Sequence, residues 1–131
     1  VEKYLNGSIL LMDLDGFKPV NDKYGHETGD EILKQVSARF LKAIPNGSLL
    51  ARLGGDEFAV LTHENYEGAM ELAMAIRATL SYPFNIGGAA ISVDVSIGCV
   101  SNDGKSDLMS RADTAMYQAK RGQVGVWAGG S

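Results

Sequence analysis

The chain has 131 residues, a net charge of −4 at neutral pH and a pI near 5.1. That length fits one domain, residues 1–131, with its own core, and the acidic balance argues against a nucleic-acid binder, which shows a basic face. A small anionic ligand stays admissible, because local cations or a bound metal outweigh the global sign.

No apolar stretch approaches the roughly 20 residues of a membrane span. The first residues, VEKYLNGS, lack the basic-then-apolar layout of a signal peptide. The single cysteine, Cys99, sits in an apolar run and reads as a buried core residue. One unpaired cysteine fits a reducing cytoplasm, and the expectation is a cytoplasmic domain without membrane contact.

Ser8 to Leu14, SILLMDL, is a short apolar run ending in acids and predicts a buried strand. Asp15-Gly16 marks a turn. In the FKPVNDKYGHETGD segment, Pro19, Gly25 and Gly29 predict a short helical piece and a loop. From Asp30 the pattern is helical, with Ile32, Leu33, Val36, Phe40, Leu41 and Ile44 on one stripe until Pro45-Asn46-Gly47. Ser48–Leu53 and Phe58–Leu61 predict two strands joined as a hairpin at Gly54-Gly55-Asp56-Glu57. Glu67 to Leu80 is helical, with Ala69, Met70, Ala73, Ile76 and Leu80 inward, and Tyr82-Pro83 ends it. Gly87-Gly88 predicts a turn, and Ala90 to Val100 alternates with β-branched residues as one strand. Asp107 to Arg121 predicts a third long helix, with Leu108, Ala112, Ala115, Met116 and Ala119 inward, before a final edge strand, Val124 to Trp127. Hairpins mixed with helical connections predict an α+β sheet with helices packed against it, not a doubly wound parallel sheet.

The candidate chemistry is carboxylate-rich. Asp13 ends the first strand, and Asp15, two positions on, points to the same side. If that strand lies beside the hairpin, Asp13 and Asp56 face each other at one end of the sheet. Such hard oxygen ligands suit Mg²⁺ or Mn²⁺ held by one or two carboxylates plus phosphate oxygens. The competing reading is solvated turn acids. Gly16, Phe17 and Lys18 open a helix, and free N–H groups there suit a phosphate. Asn21 and Asp30 offer an amide and a carboxylate complementary to a guanine edge, although Asp30 also reads as an N-cap. Lys120 reads either as a phosphate clamp or, with Arg121, as a complement to the helix dipole. His26 and His63 show no metal spacing and read as surface residues.

The strings MDLDGFKPVNDKYGHETGDEIL, ARLGGDEFAVL, VSIGCV and ADTAMYQAKRG, in this order and spacing, resemble the GGDEF domain of diguanylate cyclases. The resemblance runs from about Ser8 to about Gly122. It implies a palm-like, nucleotidyl-cyclase fold with a mostly antiparallel sheet, and the reaction of two GTP to cyclic di-GMP and two pyrophosphates. Matched residue by residue, it implies that Asp13, the Leu14 carbonyl and Asp56 hold Mg²⁺ or Mn²⁺, with Glu57 the adjacent motif acid. Backbone groups of Gly16, Phe17 and Lys18 would hold the triphosphate, Asn21 and Asp30 would read guanine, and Lys120 would meet the terminal phosphates. Gly54 and Gly55 leave room for the nucleotide. Each domain would hold one GTP, so the reaction implies a transient homodimer.

The sequence departs from that family pattern in three places. The string KRGQVGV has Gln123 where a basic residue is expected, with Arg121 the nearest substitute. Pro45-Asn46-Gly47-Ser48 stands where the family's RxxD product-inhibition motif lies. The chain also starts after the family's N-terminal leader, as a piece of a longer protein would. The DGFKPVND and ADTAMYQAK wording is similar to domains joined to a phosphodiesterase (EAL) domain, so tethered sensory or EAL domains are expected partners. Two readings follow: a cyclase, or a catalytically weak GTP-binding domain regulating such a partner.

Overall fold

The computed structural model describes residues 2–122 and 125–128. The chain forms an α+β fold around a five-stranded sheet of order β2-β3-β1-β6-β7. Its strands are β1 (Ser8–Asp15), β2 (Leu49–Gly54), β3 (Glu57–Thr62), β6 (Asp94–Ser101) and β7 (Val126–Ala128). All neighbours are antiparallel except β6 and β7. Gln123 and Val124 lie outside the described residues.

Alternation in β1 divides the core between two faces of the sheet. Leu10, Met12 and Leu14 point to one face with Val95, Ile97 and Cys99. That face is covered by α1 (Phe17–Tyr24), α2 (His26–Ala43) and α3 (Tyr66–Ala78). Ile9 and Leu11 point to the other with Ala59 and Val100, where α4 (Leu108–Gly122) packs through Leu108, Ala112, Ala115 and Met116. The stripe expected for α4 is buried in full, Ala119 included. Its close approach to β6 depends on Gly98: a Cβ there would lie 2.1 Å from the Met116 backbone nitrogen.

The second helix begins at His26 rather than Asp30. Gly25, at φ 92°, ends α1 by donating its N–H to the Asn21 carbonyl at 2.8 Å and lets the chain restart as α2. Gly29, read as a breaker, is buried inside the helix, with the Asn21 side chain where a Cβ would stand. Tertiary packing here overrides a weak local propensity. Asp30 is therefore an exposed residue within α2 and not its N-cap. Leu41 is 57% exposed, because Phe40 takes the inward position beside it.

The expected strand over Ala90–Val100 is two strands. β5 (Ala89–Ile91) pairs with β4 (Phe84–Ile86) as a separate hairpin, and β6 starts at Asp94. Gly87 and Gly88, at φ 58° and 83°, supply the turn that draws residues 89–91 away from the main sheet.

Candidate functional site

At one end of the sheet β1 finishes while β3 and β6 begin, so residues distant in sequence meet there. Asp13 lies opposite Glu57 on β3 and opposite Ser96 on β6. The Leu14 N–H donates to the Asp56 carbonyl at 3.0 Å, which ties the β2–β3 turn to the end of β1. A strand residue's N–H and C=O leave on the same edge, so the Leu14 carbonyl also faces the turn.

The turn is held from the two strands that flank it. Phe58 is fully buried and meets Phe40 edge-on, ring centroids 5.5 Å apart. Gly54 and Gly55 have φ of 148° and 46°, which side chains with a Cβ rarely adopt. The Arg52 Nε donates to the Gly55 carbonyl at 3.1 Å, and nothing stands within 4 Å of a Cβ built at either glycine. The space above the turn is open.

Asp13 and Asp56 are neighbours. Burial, followed by the Asp13 charge, pushes the Asp56 carboxyl above the usual carboxylate range, against the partial relief from Lys120. Two ionised carboxylates offer no donor, so a hydrogen bond between them exists only when one carries a proton. Accordingly, Asp13 Oδ1 is buried with no hydrogen-bond partner. Its Oδ2 accepts from Lys120 Nζ at 2.8 Å, and the same ammonium lies 3.4 Å from Asp15 Oδ1. Burial pulls the Lys120 ammonium down, but its bonds and charges to Asp13 and Asp15 outweigh that and raise it. Lys120, on the last turns of α4, thus reaches into the carboxylate group.

An orphaned buried oxygen on one of two neighbouring acids fits a divalent cation, and the donor set, Asp13, Asp56 and the Leu14 carbonyl, is the hard oxygen type. Among the described residues no group of three or more His, Cys, Asp or Glu is arranged to hold a metal. A Mg²⁺ site with two carboxylates takes its remaining ligands from phosphate and water.

Beyond Asp15, Gly16 is left-handed (φ 81°) and caps α1 without a side-chain bond. The helix's first free N–H groups are those of Gly16, Phe17 and Lys18, since Pro19 has none. Phe17 is buried, Lys18 exposed. Asn21 stands at the α1–α2 junction beside Gly29, and Asp30 follows on the exposed side of α2. A cavity of about 260 Å³ borders Asp30 with Glu27, Glu31 and Lys34. A larger one, about 860 Å³, reaches from Asp15 and Gly16 to Met70 and Arg77 on α3, and contains neither Asp13 nor Asp56. The carboxylate pair thus sits at the open end of the sheet, outside the larger cavity.

Sequence reasoning passed over Ser96. This buried hydroxyl donates to Asp15 Oδ2 at 2.7 Å. Its signal was a polar residue among the apolar ones of VSIGCV, opposite Asp13 once the strands pair.

The profile of the family described as "Diguanylate cyclase, GGDEF domain" matches residues 2–124. The chain is 42% identical over 122 residues to the Cyclic di-GMP phosphodiesterase PdeR of Escherichia coli, covering 89% of this chain and 18% of that protein. It is 41% identical over 118 residues to the bifunctional diguanylate cyclase/cyclic di-GMP phosphodiesterase MucR of Pseudomonas aeruginosa, covering 86% and 17%. The chain therefore spans less than a fifth of either relative. In structure it is similar to the GGDEF domain of YfiN from Pseudomonas aeruginosa, with a TM-score of 0.88, 33% identity, and coverage of 95% and 82%. With its profile, fold and relatives in agreement, the chain belongs to the GGDEF family of diguanylate cyclase domains.

Proposed function

We propose that this chain binds GTP with a divalent cation at the Asp13–Asp56 end of the sheet and condenses two GTP into cyclic di-GMP with release of two pyrophosphates. The observation that carries the reading is the buried, unpartnered Asp13 oxygen beside the Asp56 carboxyl. It lies at the end of the strand that leads into the free N–H groups of α1.

Asp13, Asp56 and the Leu14 carbonyl would hold Mg²⁺ or Mn²⁺. When bound, the cation supplies Lewis acidity at the α-phosphate and lowers the pKa of a ribose 3′-hydroxyl. The chain's own groups do the rest. The N–H groups of Gly16, Phe17 and Lys18 receive phosphate oxygens, and Lys120 meets the terminal phosphates as their charge displaces it from Asp13. Asn21 and Asp30 read the guanine edge from the α1–α2 junction. Gly54 and Gly55 keep the volume above the turn free for the nucleotide. In each transfer the 3′-oxygen bonds to the partner nucleotide's α-phosphorus, the bond to pyrophosphate breaks, and the hydroxyl proton passes to Asp56. Glu57 adds negative charge on the same face. Ring closure needs two such domains face to face, which makes the active form a transient homodimer in the cytoplasm.

A second reading is a GTP-binding domain with little turnover that regulates a tethered phosphodiesterase. The similarity to PdeR, named as a phosphodiesterase alone, favours it. So does Gln123 in place of a basic residue. Incubation with GTP and Mg²⁺, following pyrophosphate and cyclic di-GMP alongside calorimetric GTP binding, separates the two. Product from the unaltered chain, lost in Asp56→Asn, supports the cyclase. Binding without product at high protein concentration rejects it in favour of the regulatory domain.

A further inference from the structure

Lys120 stands 43% exposed between two carboxylates that differ in what else they hold. Asp13 holds Lys120 through Oδ2, keeps Oδ1 without a partner, and lies close to Asp56. Asp15 divides its oxygens between Lys120, 3.4 Å from Oδ1, and the Ser96 hydroxyl, 2.7 Å from Oδ2. Ser96 is buried, and its strand partner is Asp13, so its hydroxyl reaches Asp15 on the diagonal. That bond fixes the Asp15 carboxylate with its free oxygen turned to the ammonium. Asp15 lies outside the pair that carries the orphaned Asp13 oxygen.

A cation held by Asp13 repels an ammonium 2.8 Å from the same carboxylate. Without a second anchor, Lys120 would return to solvent and regain its side-chain freedom. We infer that Asp15, oriented by Ser96, is a positioning residue that keeps Lys120 at the site when a cation occupies Asp13, so that the ammonium is already in place for the nucleotide's phosphates. The inference rests on the reading of this end as a cation–nucleotide site. It assigns no contact between Asp15 and the substrate.

The test is calorimetric titration of the full chain with guanosine 5′-(α,β-methylene)triphosphate and Mg²⁺, using Asp15→Asn, Ser96→Ala and Lys120→Met singly and combined. Asp15→Asn should weaken binding about fivefold, the scale of a partly exposed ion pair, and Ser96→Ala about twofold in the same direction. Neither change should weaken binding further in the Lys120→Met background. Full affinity in Asp15→Asn, or an equal loss with and without Lys120, overturns the positioning role. Thermal unfolding without ligand reports whether each variant folds. If Asp15→Asn does not, the Ser96→Ala and Lys120→Met pair gives the same coupling. Failure of the unaltered chain to bind the analogue overturns the nucleotide reading itself, and this inference with it.

Discussion

Substituting Gly98 by alanine tests whether helix position sets the site. The added Cβ would lie 2.1 Å from the Met116 nitrogen, 2.6 Å from the Ala115 carbonyl carbon and 2.8 Å from the Ala112 oxygen. All three are backbone atoms of α4, so no rotamer change relieves the overlap. An ordinary non-bonded separation of about 3.5 Å requires α4 to withdraw from β6 by more than 1 Å. Withdrawal loosens Leu108, Ala112, Ala115 and Met116 from Ile9, Leu11 and Val100. Overpacking of this kind costs about 1–3 kcal/mol, and a backbone clash belongs at the upper end. Lys120 follows Met116 by about one turn, so the same displacement lengthens its 2.8 Å bond to Asp13. Urea unfolding should show a loss of about 2–3 kcal/mol, and affinity for Mg²⁺ with the GTP analogue should fall in whatever fraction remains folded. A Gly98→Ala protein within about 0.5 kcal/mol of its parent would mean that α4 does not rest on the β6 backbone, and the account of how Lys120 is placed would fail.

Gly29→Ala meets Asn21 Oδ1 and Cγ and comes within 3.3 Å of the buried Phe17 ring, so it should displace that amide at a modest cost in stability that urea unfolding reads separately. Discrimination of GTP over ATP should fall at least threefold by calorimetry; unchanged selectivity removes Asn21 from base recognition. Asp56 holds its proton to higher pH in the folded chain than in the unfolded one, through burial and then the Asp13 charge. Stability of the metal-free protein should therefore rise as pH falls from the raised folded pKa toward the ordinary aspartate range, the reverse of a salt-bridged acid. Asp56→Asn should abolish that rise and stabilise the ligand-free chain at pH 7 by about 0.5 kcal/mol in thermal unfolding. A destabilised variant refutes the like-charge argument. Arg39 donates to the Thr79, Tyr82 and Pro83 carbonyls and stacks 3.7 Å from the Phe84 ring centroid. Lysine lacks that planar fork, so Arg39→Lys should lower stability by about 1–2 kcal/mol in urea, and a change below about 0.3 kcal/mol contradicts the anchoring role.

What the sequence revealed follows from where its signals are local. The two glycines at positions 54 and 55 specify a turn by backbone freedom alone, and the hairpin stands there. The stripe on α4 is strong because it is uninterrupted. The start of α2 was hidden because Gly29 looks like a breaker until Asn21 is seen filling its side-chain space. The single strand expected over Ala90–Val100 failed for a related reason: alternation continues across Ser92 and Val93 while the pairing partner changes from β4 to β1. Periodicity reports which face is buried, not which strand lies alongside. Ser96 escaped notice because its meaning is wholly tertiary, requiring β6 to lie beside β1 in the register that sets it opposite Asp13.

The same distinction explains the acids at the hairpin. Locally, Asp56 and Glu57 beside Asp13 and Asp15 are a conflict, since like charges across neighbouring strands oppose pairing. The fold does not remove that conflict; it confines it. Phe58 anchors the turn in the core, and Leu14 binds the Asp56 backbone. The carboxylates are thereby prevented from separating. Lys120 neutralises the Asp13–Asp15 side and leaves Asp13 Oδ1 without a donor. A structural salt-bridge network would be expected to satisfy that oxygen, because an unpaired buried acceptor costs about 1–3 kcal/mol. Retaining it next to a raised-pKa aspartate favours a site completed by a cation over a turn that merely tolerates its charges. Mg²⁺ added alone should therefore raise the unfolding temperature of the parent chain and leave that of Asp13→Asn unchanged. Equal response of both proteins would detach the cation from this pair and return Asp13 and Asp56 to the solvated-turn reading.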